Sequence, residues 1–166
     1  SLTAETALIR QEASIEAVRF DAGDAKVELP VKLKVHESVF VPLAKWAMLL
    51  AGNYRCVQAD GVRSIKEAVH GDLAATRAVY EWVAGLCVTL GASPSDLVPF
   101  EKYAAAAQSL GSPSSAARAL AAGAPFIERV DRLVQAVAAQ KGLHNAAVDE
   151  TVALVDDWLV RNRRKG

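Results

Sequence analysis

The sequence predicts a mainly α fold, a helical bundle of about six helices behind a short N-terminal β-hairpin. Three observations carry that expectation. Residues 27–35 alternate apolar and polar side chains with period two, the spacing of a half-buried strand. From Ser38 onward the apolar residues recur at helical spacing instead. Glycines then punctuate the helical part at 71, 91, 123 and 142, where helices stop.

The elements follow in order. Ile15, Ala17 and Arg19 alternate with Val18 and Phe20, and Asp21-Ala22-Gly23-Asp24 has the composition of a turn. Val27, Leu29, Val31, Leu33 and Val35 then share one face, with Lys26, Glu28, Pro30, Lys32 and Lys34 on the other. Pro30 has no N–H to give a ladder, which predicts an edge strand. A lone hairpin is marginal in water and needs helices or another sheet to pack on. Residues 39–51 are apolar nearly all round and read as a central buried helix, ended or kinked at Gly52-Asn53. Residues 64–70 form a short helix stopped by Gly71. Asp72 caps a long one over 73–90, closed by Gly91. Ser95 or Asp96 caps the next, which runs through Phe100 to the break at Gly111-Ser112-Pro113. Residues 114–122 are a short helix closed by Gly123. Pro125 opens the following helix, striped by Ile127, Val130, Val134 and Val137. Asn145 starts the last, with Val148, Val152, Val155 and Leu159 on one face.

Composition narrows the function. A chain of 166 residues suits one domain, and 52% hydrophobic residues are too many for disorder. Nineteen basic and nineteen acidic residues cancel, so nothing draws the chain over long range to nucleic acid or an anionic membrane. The one basic cluster, Arg161, Arg163, Arg164 and Lys165, reads as a solvated tail. No apolar run approaches the ~20 residues of a membrane helix. Cys56 and Cys87 lie in apolar stretches without a CxxC and read as reduced structural residues, which fits a cytoplasmic setting. There is no GxGxxG, P-loop or GxSxG, and His36, His70 and His144 are scattered. The chain is therefore expected to bind neither nucleotide nor metal by itself.

Four places hold polar groups of interest. Lys45 lies in the apolar run, where a buried ammonium needs a partner and its pKa falls toward an acid–base range; a snorkelling lysine is the plainer reading. Asn53, two turns on, shares its face and either holds a polar ligand or caps the helix. Ser114 and Ser115 at a helix start offer hydroxyls and free N–H groups to an anion, or simply cap the helix. Glu128 and Arg132 stand at i, i+4, as a solvated ion pair or as part of an acidic ligand face.

In this order the four places form a pattern: lysine and asparagine on the first helix, Ser114-Ser115 before a helix, Gly123, then Ile127-Glu128-Arg129-Val130-Asp131. That pattern resembles the C-terminal helical domain of ketopantoate reductase and its relatives in the 6-phosphogluconate dehydrogenase-like group, over residues 39–159. The resemblance implies reversible hydride transfer between NADP or NAD and a 2-ketoacid or 2-hydroxyacid. It makes Lys45 the general acid, with Glu128 beside it in the catalytic set, and gives Asn53 and Ser114 or Ser115 to a small polar substrate. It divides the chain into residues 1–37, the trailing edge of a nucleotide-binding Rossmann domain, and residues 38–166, a substrate-binding and dimerising domain. The cofactor would belong to the full-length protein and not to this chain, which would be inactive alone. Two departures stand out. The family reads K-x-x-x-N where this chain has Leu49, and the Ser115–Glu128 spacing is slightly long, which brings Asp131 forward as an alternative carboxylate. The chain starts at Ser1 and its sole methionine is Met48, as expected of a piece of a longer protein. Apolar runs over 43–50 and 73–90 predict a homodimer. The alternative is a non-catalytic helical module for self-association or partner binding, favoured by the alanine-rich runs and by Leu49.

Overall fold

The computed structural model describes residues 17–22, 25–30, 38 and 40–164. The chain divides into two units, Ser1–Val39 and Phe40–Gly166. In the first, β1 (Ala17–Ala22) pairs antiparallel with β2 (Ala25–Pro30), from Ala22 opposite Ala25 to Ala17 opposite Pro30. Pro30 takes the last pairing position, where its missing donor disturbs the ladder least. The expected strand ran on to Val35, but residues 31–37 lie outside the described residues.

The second unit is mainly helical. Its described residues form α1 (Ala44–Met48), α2 (Ile65–His70), α3 (Leu73–Thr89), α4 (Phe100–Ala107), α5 (Ser115–Ala121), α6 (Val130–Gln140) and α7 (Ala146–Arg163). Local chemistry sets most of these ends. Ser64 and Glu67 close a reciprocal capping box, and Asp72, Ser114 and Asn145 each accept from the amide three residues on. Gly91, Gly123 and Gly142 take positive φ after α3, α5 and α6. α4 differs from expectation: Ser93 caps a 3₁₀ turn at Pro94–Asp96, and α4 itself starts only at Phe100. Leu50, Val69, Val83, Leu86, Leu120, Val134, Val148 and Val155 are fully buried and form one core. Cys56 and Cys87 are free thiols inside the fold, and burial pushes both thiol pKa values up.

The first helical stretch is not one buried α-helix. A 3₁₀ turn at Val41–Leu43 leads into α1, which widens into a π turn at Leu49–Asn53 and tightens again at Tyr54–Cys56. Gly52 shows why the turn needs a glycine. A Cβ there would stand 1.9 Å from the Tyr103 hydroxyl and 3.2 Å from Val69 Cγ2. α1 turns Ala44 and Ala47 into the core and leaves Lys45 exposed, because its outer side meets solvent.

The helix expected from Pro125 starts at Val130 instead, and residues 125–129 are irregular. Tyr54 reaches this segment from the core and hydrogen-bonds the Glu128 carbonyl and the Val130 amide, backbone groups that a helix starting earlier would use. Arg132 consequently pairs with Asp156 on α7, not with Glu128. Of the C-terminal basic cluster, Lys165 lies outside the described residues, and the arginines are exposed as expected but ordered by the last helix. Arg161 and Arg163 belong to α7, and Arg161 lies 4.8 Å from the Trp158 ring centroid and donates to the Ala59 carbonyl at 2.9 Å. No helix among the described residues is long and apolar enough to cross a membrane.

Candidate functional site

The π turn, α5 and the irregular segment before α6 enclose a cleft of about 330 Å³. The turn contributes Leu49, Asn53 and Tyr54, and α5 contributes Ser115, Ala116 and Ala119. The segment adds Phe126, Ile127 and Glu128, with Val130 behind them. The walls are thus mostly apolar, with one or two polar groups from each segment, the usual make-up of a small-molecule site.

Hydrogen bonds from the core hold each wall. The Ser114 hydroxyl donates to the Asn53 carbonyl at 2.7 Å and accepts from the Ala117 amide at 3.2 Å, tying the π turn to the start of α5. The Tyr54 hydroxyl donates to the Glu128 carbonyl at 2.6 Å and accepts from the Val130 amide at 3.0 Å. Next to it, Arg129 grips both oxygens of Asp131, at 2.9 and 2.8 Å, and reaches Asp156 at 2.5 Å. Asp131 is fully buried. Such a charge is tolerated inside only when paired and hydrogen-bonded, and the two-pronged grip meets that need.

The electrostatics follow from these contacts. Burial opposes the Arg129 charge, but Asp131 and Asp156 hold its pKa above the ordinary guanidinium value. Burial also works against the Asp156 carboxylate, and Arg129 and Arg132 overcome it, so its pKa lies below the usual range. Burial raises the Tyr54 phenol, and the charges of Asp131 and Glu128 push the same way. Away from the cleft, on α3, burial with a smaller push from Cys87 drives the Tyr80 phenol up to about 12.

Of the residues singled out in the sequence, Asn53, Ser115 and Glu128 line this cleft, and Leu49 lines it with them. The Asn53 carboxamide, the Ser115 hydroxyl and the Glu128 carboxylate have no hydrogen-bond or ion-pair partner among the described residues. Lys45 does not line the cleft and makes no ion pair among the described residues. The expected buried ammonium facing Glu128 is therefore corrected to an exposed side chain one helical turn before Leu49. Ser114 is 3% exposed and its hydroxyl is committed to the fold, which leaves Ser115 as the serine facing the cleft. Asp131 is spent on Arg129, so Glu128 is the carboxylate of the site.

Three features were not singled out in the sequence. Tyr54 follows Asn53 directly, and a buried tyrosine always raises the question of its acceptor, but that acceptor lies 74 residues away. Phe126, 74% exposed at the rim, was signalled only by an aromatic residue in a glycine- and proline-bearing loop. The clamp of Arg129, Asp131 and Asp156 joins two helices and has no local pattern. Among the described residues no group of three side chains is placed to hold a metal ion. No protein-family model, curated protein or solved structure matches the chain.

Proposed function

We propose that the helical unit is the substrate-binding domain of an NAD(P)-dependent oxidoreductase of the ketopantoate reductase type, acting on a small carbonyl compound. One observation supports this reading above the others. Asn53, Ser115 and Glu128 come from separate segments and meet in one cleft with unused hydrogen-bonding capacity, and they occupy positions the resemblance assigns to substrate.

In this reading Asn53 and Ser115 orient the substrate, and Glu128 accepts a hydrogen bond from its donor group. Lys45, to which the resemblance gives the proton, is exposed and does not line the cleft, so the proton that follows the hydride comes from outside the described cleft. A nicotinamide supplies the hydride when bound, and no residue of this chain is assigned to hold it. Leu49 places a methyl-rich surface where the resemblance has an asparagine, so the substrate presents an apolar flank there and differs from ketopantoate. The same reading carries with it a homodimer in the cytoplasm and NADP or NAD held by a further domain. The alternative of a self-association module draws on Phe126, whose ring is 74% exposed. In that case Phe126→Ser would dissociate the assembly in sedimentation.

The test is NADPH and NADH consumption by the natural gene product against a panel of small ketones and ketoacids. Glu128→Ala removes the acceptor for the substrate's donor group and should lower kcat/KM by about tenfold. No consumption across the panel, or unchanged kcat/KM in Glu128→Ala, would overturn the proposal.

A further inference from the structure

We infer that the cleft takes a primary amine in its ammonium form, carried on a compact aliphatic body, and turns away the matching carboxylate. The inference rests on the reading of this cleft as a substrate site and deepens it. It does not depend on the hydride chemistry.

Among the described residues Glu128 is the only charged one lining the cleft, and no lysine, arginine or histidine of them lines it. The arginines nearby are already engaged. Arg129 is shared between Asp131 and Asp156, and Arg132 pairs with Asp156. Arg163 donates to the Pro125 carbonyl at 3.5 Å and lies 5.8 Å from the Phe126 ring centroid. Lys45 is exposed and forms no ion pair with Glu128. The site therefore presents one uncompensated carboxylate, and a second carboxylate brought in by a ligand would meet it without a cation between them.

Hydrogen-bond capacity points the same way. The Tyr54 hydroxyl is already used as donor and acceptor, so it offers the ligand nothing. What remains is the Glu128 carboxylate, which only accepts, and the Asn53 carboxamide and Ser115 hydroxyl, each able to accept or donate. An ammonium has three N–H donors and no acceptor, which suits such a set; an alcohol has one donor, and a carboxylate has none. Behind these groups Leu49, Ala119, Ile127 and Val130 give an alkyl body an apolar wall, and Phe126 is placed to cover it. Phosphates and dicarboxylates fit neither the charge nor the walls.

The test uses three probes with one carbon skeleton: isopentylamine, isopentanol and isovalerate. Each is titrated into the ¹⁵N-labelled chain, following the Asn53 side-chain amide and the Ser115 and Ile127 backbone amides. The expected order is amine, then alcohol, then acid, with the amine about tenfold tighter than the alcohol. Glu128→Gln should remove the advantage of the amine and leave the alcohol nearly unchanged. The side chain has no partner among the described residues, so this variant keeps the structure. Isovalerate binding tightest, or an order unchanged in Glu128→Gln, overturns the amine assignment while the cleft stands. Shifts for none of the probes at tens of millimolar, or shifts only elsewhere, overturn both the amine assignment and the cleft as a ligand site.

Discussion

The hydroxyl of Tyr54 and the main-chain carbonyl of Glu128 meet at 2.6 Å, across 74 residues of sequence. The same hydroxyl receives the Val130 amide at 3.0 Å. One buried phenol thus fixes where the cleft wall ends and where α6 begins. Glu128 is held by its backbone from the core side, while its carboxylate stays free for the cleft. The arrangement separates the holding group from the acting group, as a site placed on an irregular segment requires.

Tyr54→Phe keeps the ring and removes both hydrogen bonds. A carbonyl and an amide are then left without partners beside the core, at a cost of about 1–3 kcal/mol. Denaturant unfolding should show that loss, and hydrogen exchange at the Val130 amide should speed up. Parent-like stability with unchanged exchange would mean that the phenol does not hold the segment.

The success of local signals explains what was legible in the sequence. Ser64, Asp72, Ser114 and Asn145 act within three residues of themselves, so α2, α3, α5 and α7 begin where their caps stand. The failures have distant causes. Residues 125–129 carry a helical pattern, but Tyr54 takes the backbone groups that would have extended the helix. Residues 39–51 read as one buried helix, yet after α1 the chain widens into a π turn at Leu49–Asn53, where Gly52 lies close under the Tyr103 hydroxyl. Lys45 illustrates the limit of counting neighbours: its neighbours are apolar, but only Ala44 and Ala47 beside it face the core. Asn53, Ser115 and Glu128 each had an ordinary local reading, and only tertiary structure shows that they share a cleft.

Gly52→Ala should be poorly tolerated. Its Cβ would overlap the Tyr103 hydroxyl, which is itself committed to the Met48 carbonyl at 3.2 Å. Moving the ring aside breaks that bond and loosens the packing of α4 on the π turn. Overpacking of this kind costs about 1–3 kcal/mol. Thermal unfolding should register it, and Gly52→Ala combined with Tyr103→Phe should recover part of the loss. No recovery in the double variant would place the strain elsewhere.

The Arg129 clamp gives the fold an acid limb. Asp156 has a folded pKa below its ordinary value, so its contribution is fully present above about pH 4 and is lost as pH falls through the folded value. Stability should therefore decline on acidification below about pH 4, and Asp156→Asn should flatten that limb. Asp131→Ala is the harsher change, because it strips Arg129 of both its bonds to a buried partner. Breaking such a pair from one side costs about 3–5 kcal/mol. An Asp131→Ala protein of parent stability at neutral pH would show that the clamp is dispensable.

The adjacent serines should behave in opposite ways. Ser114 is 3% exposed, and its hydroxyl caps α5 through Ala117 while donating to the Asn53 carbonyl. Ser114→Ala removes the cap and leaves that carbonyl without its donor, so it should cost about 1–2 kcal/mol and move the π turn away from α5. Ser115 stands at the first position of α5, is exposed, and its hydroxyl has no partner among the described residues. Alanine there is a good helix former, so Ser115→Ala should leave the unfolding midpoint unchanged and weaken ligand binding in the cleft. Ser114→Thr should restore the cap where Ser114→Ala fails. Unfolding curves and isopentylamine titrations on the three variants separate the roles. If Ser115→Ala binds as tightly as the parent while Ser114→Ala folds normally but no longer binds, the assignment of the two hydroxyls is reversed.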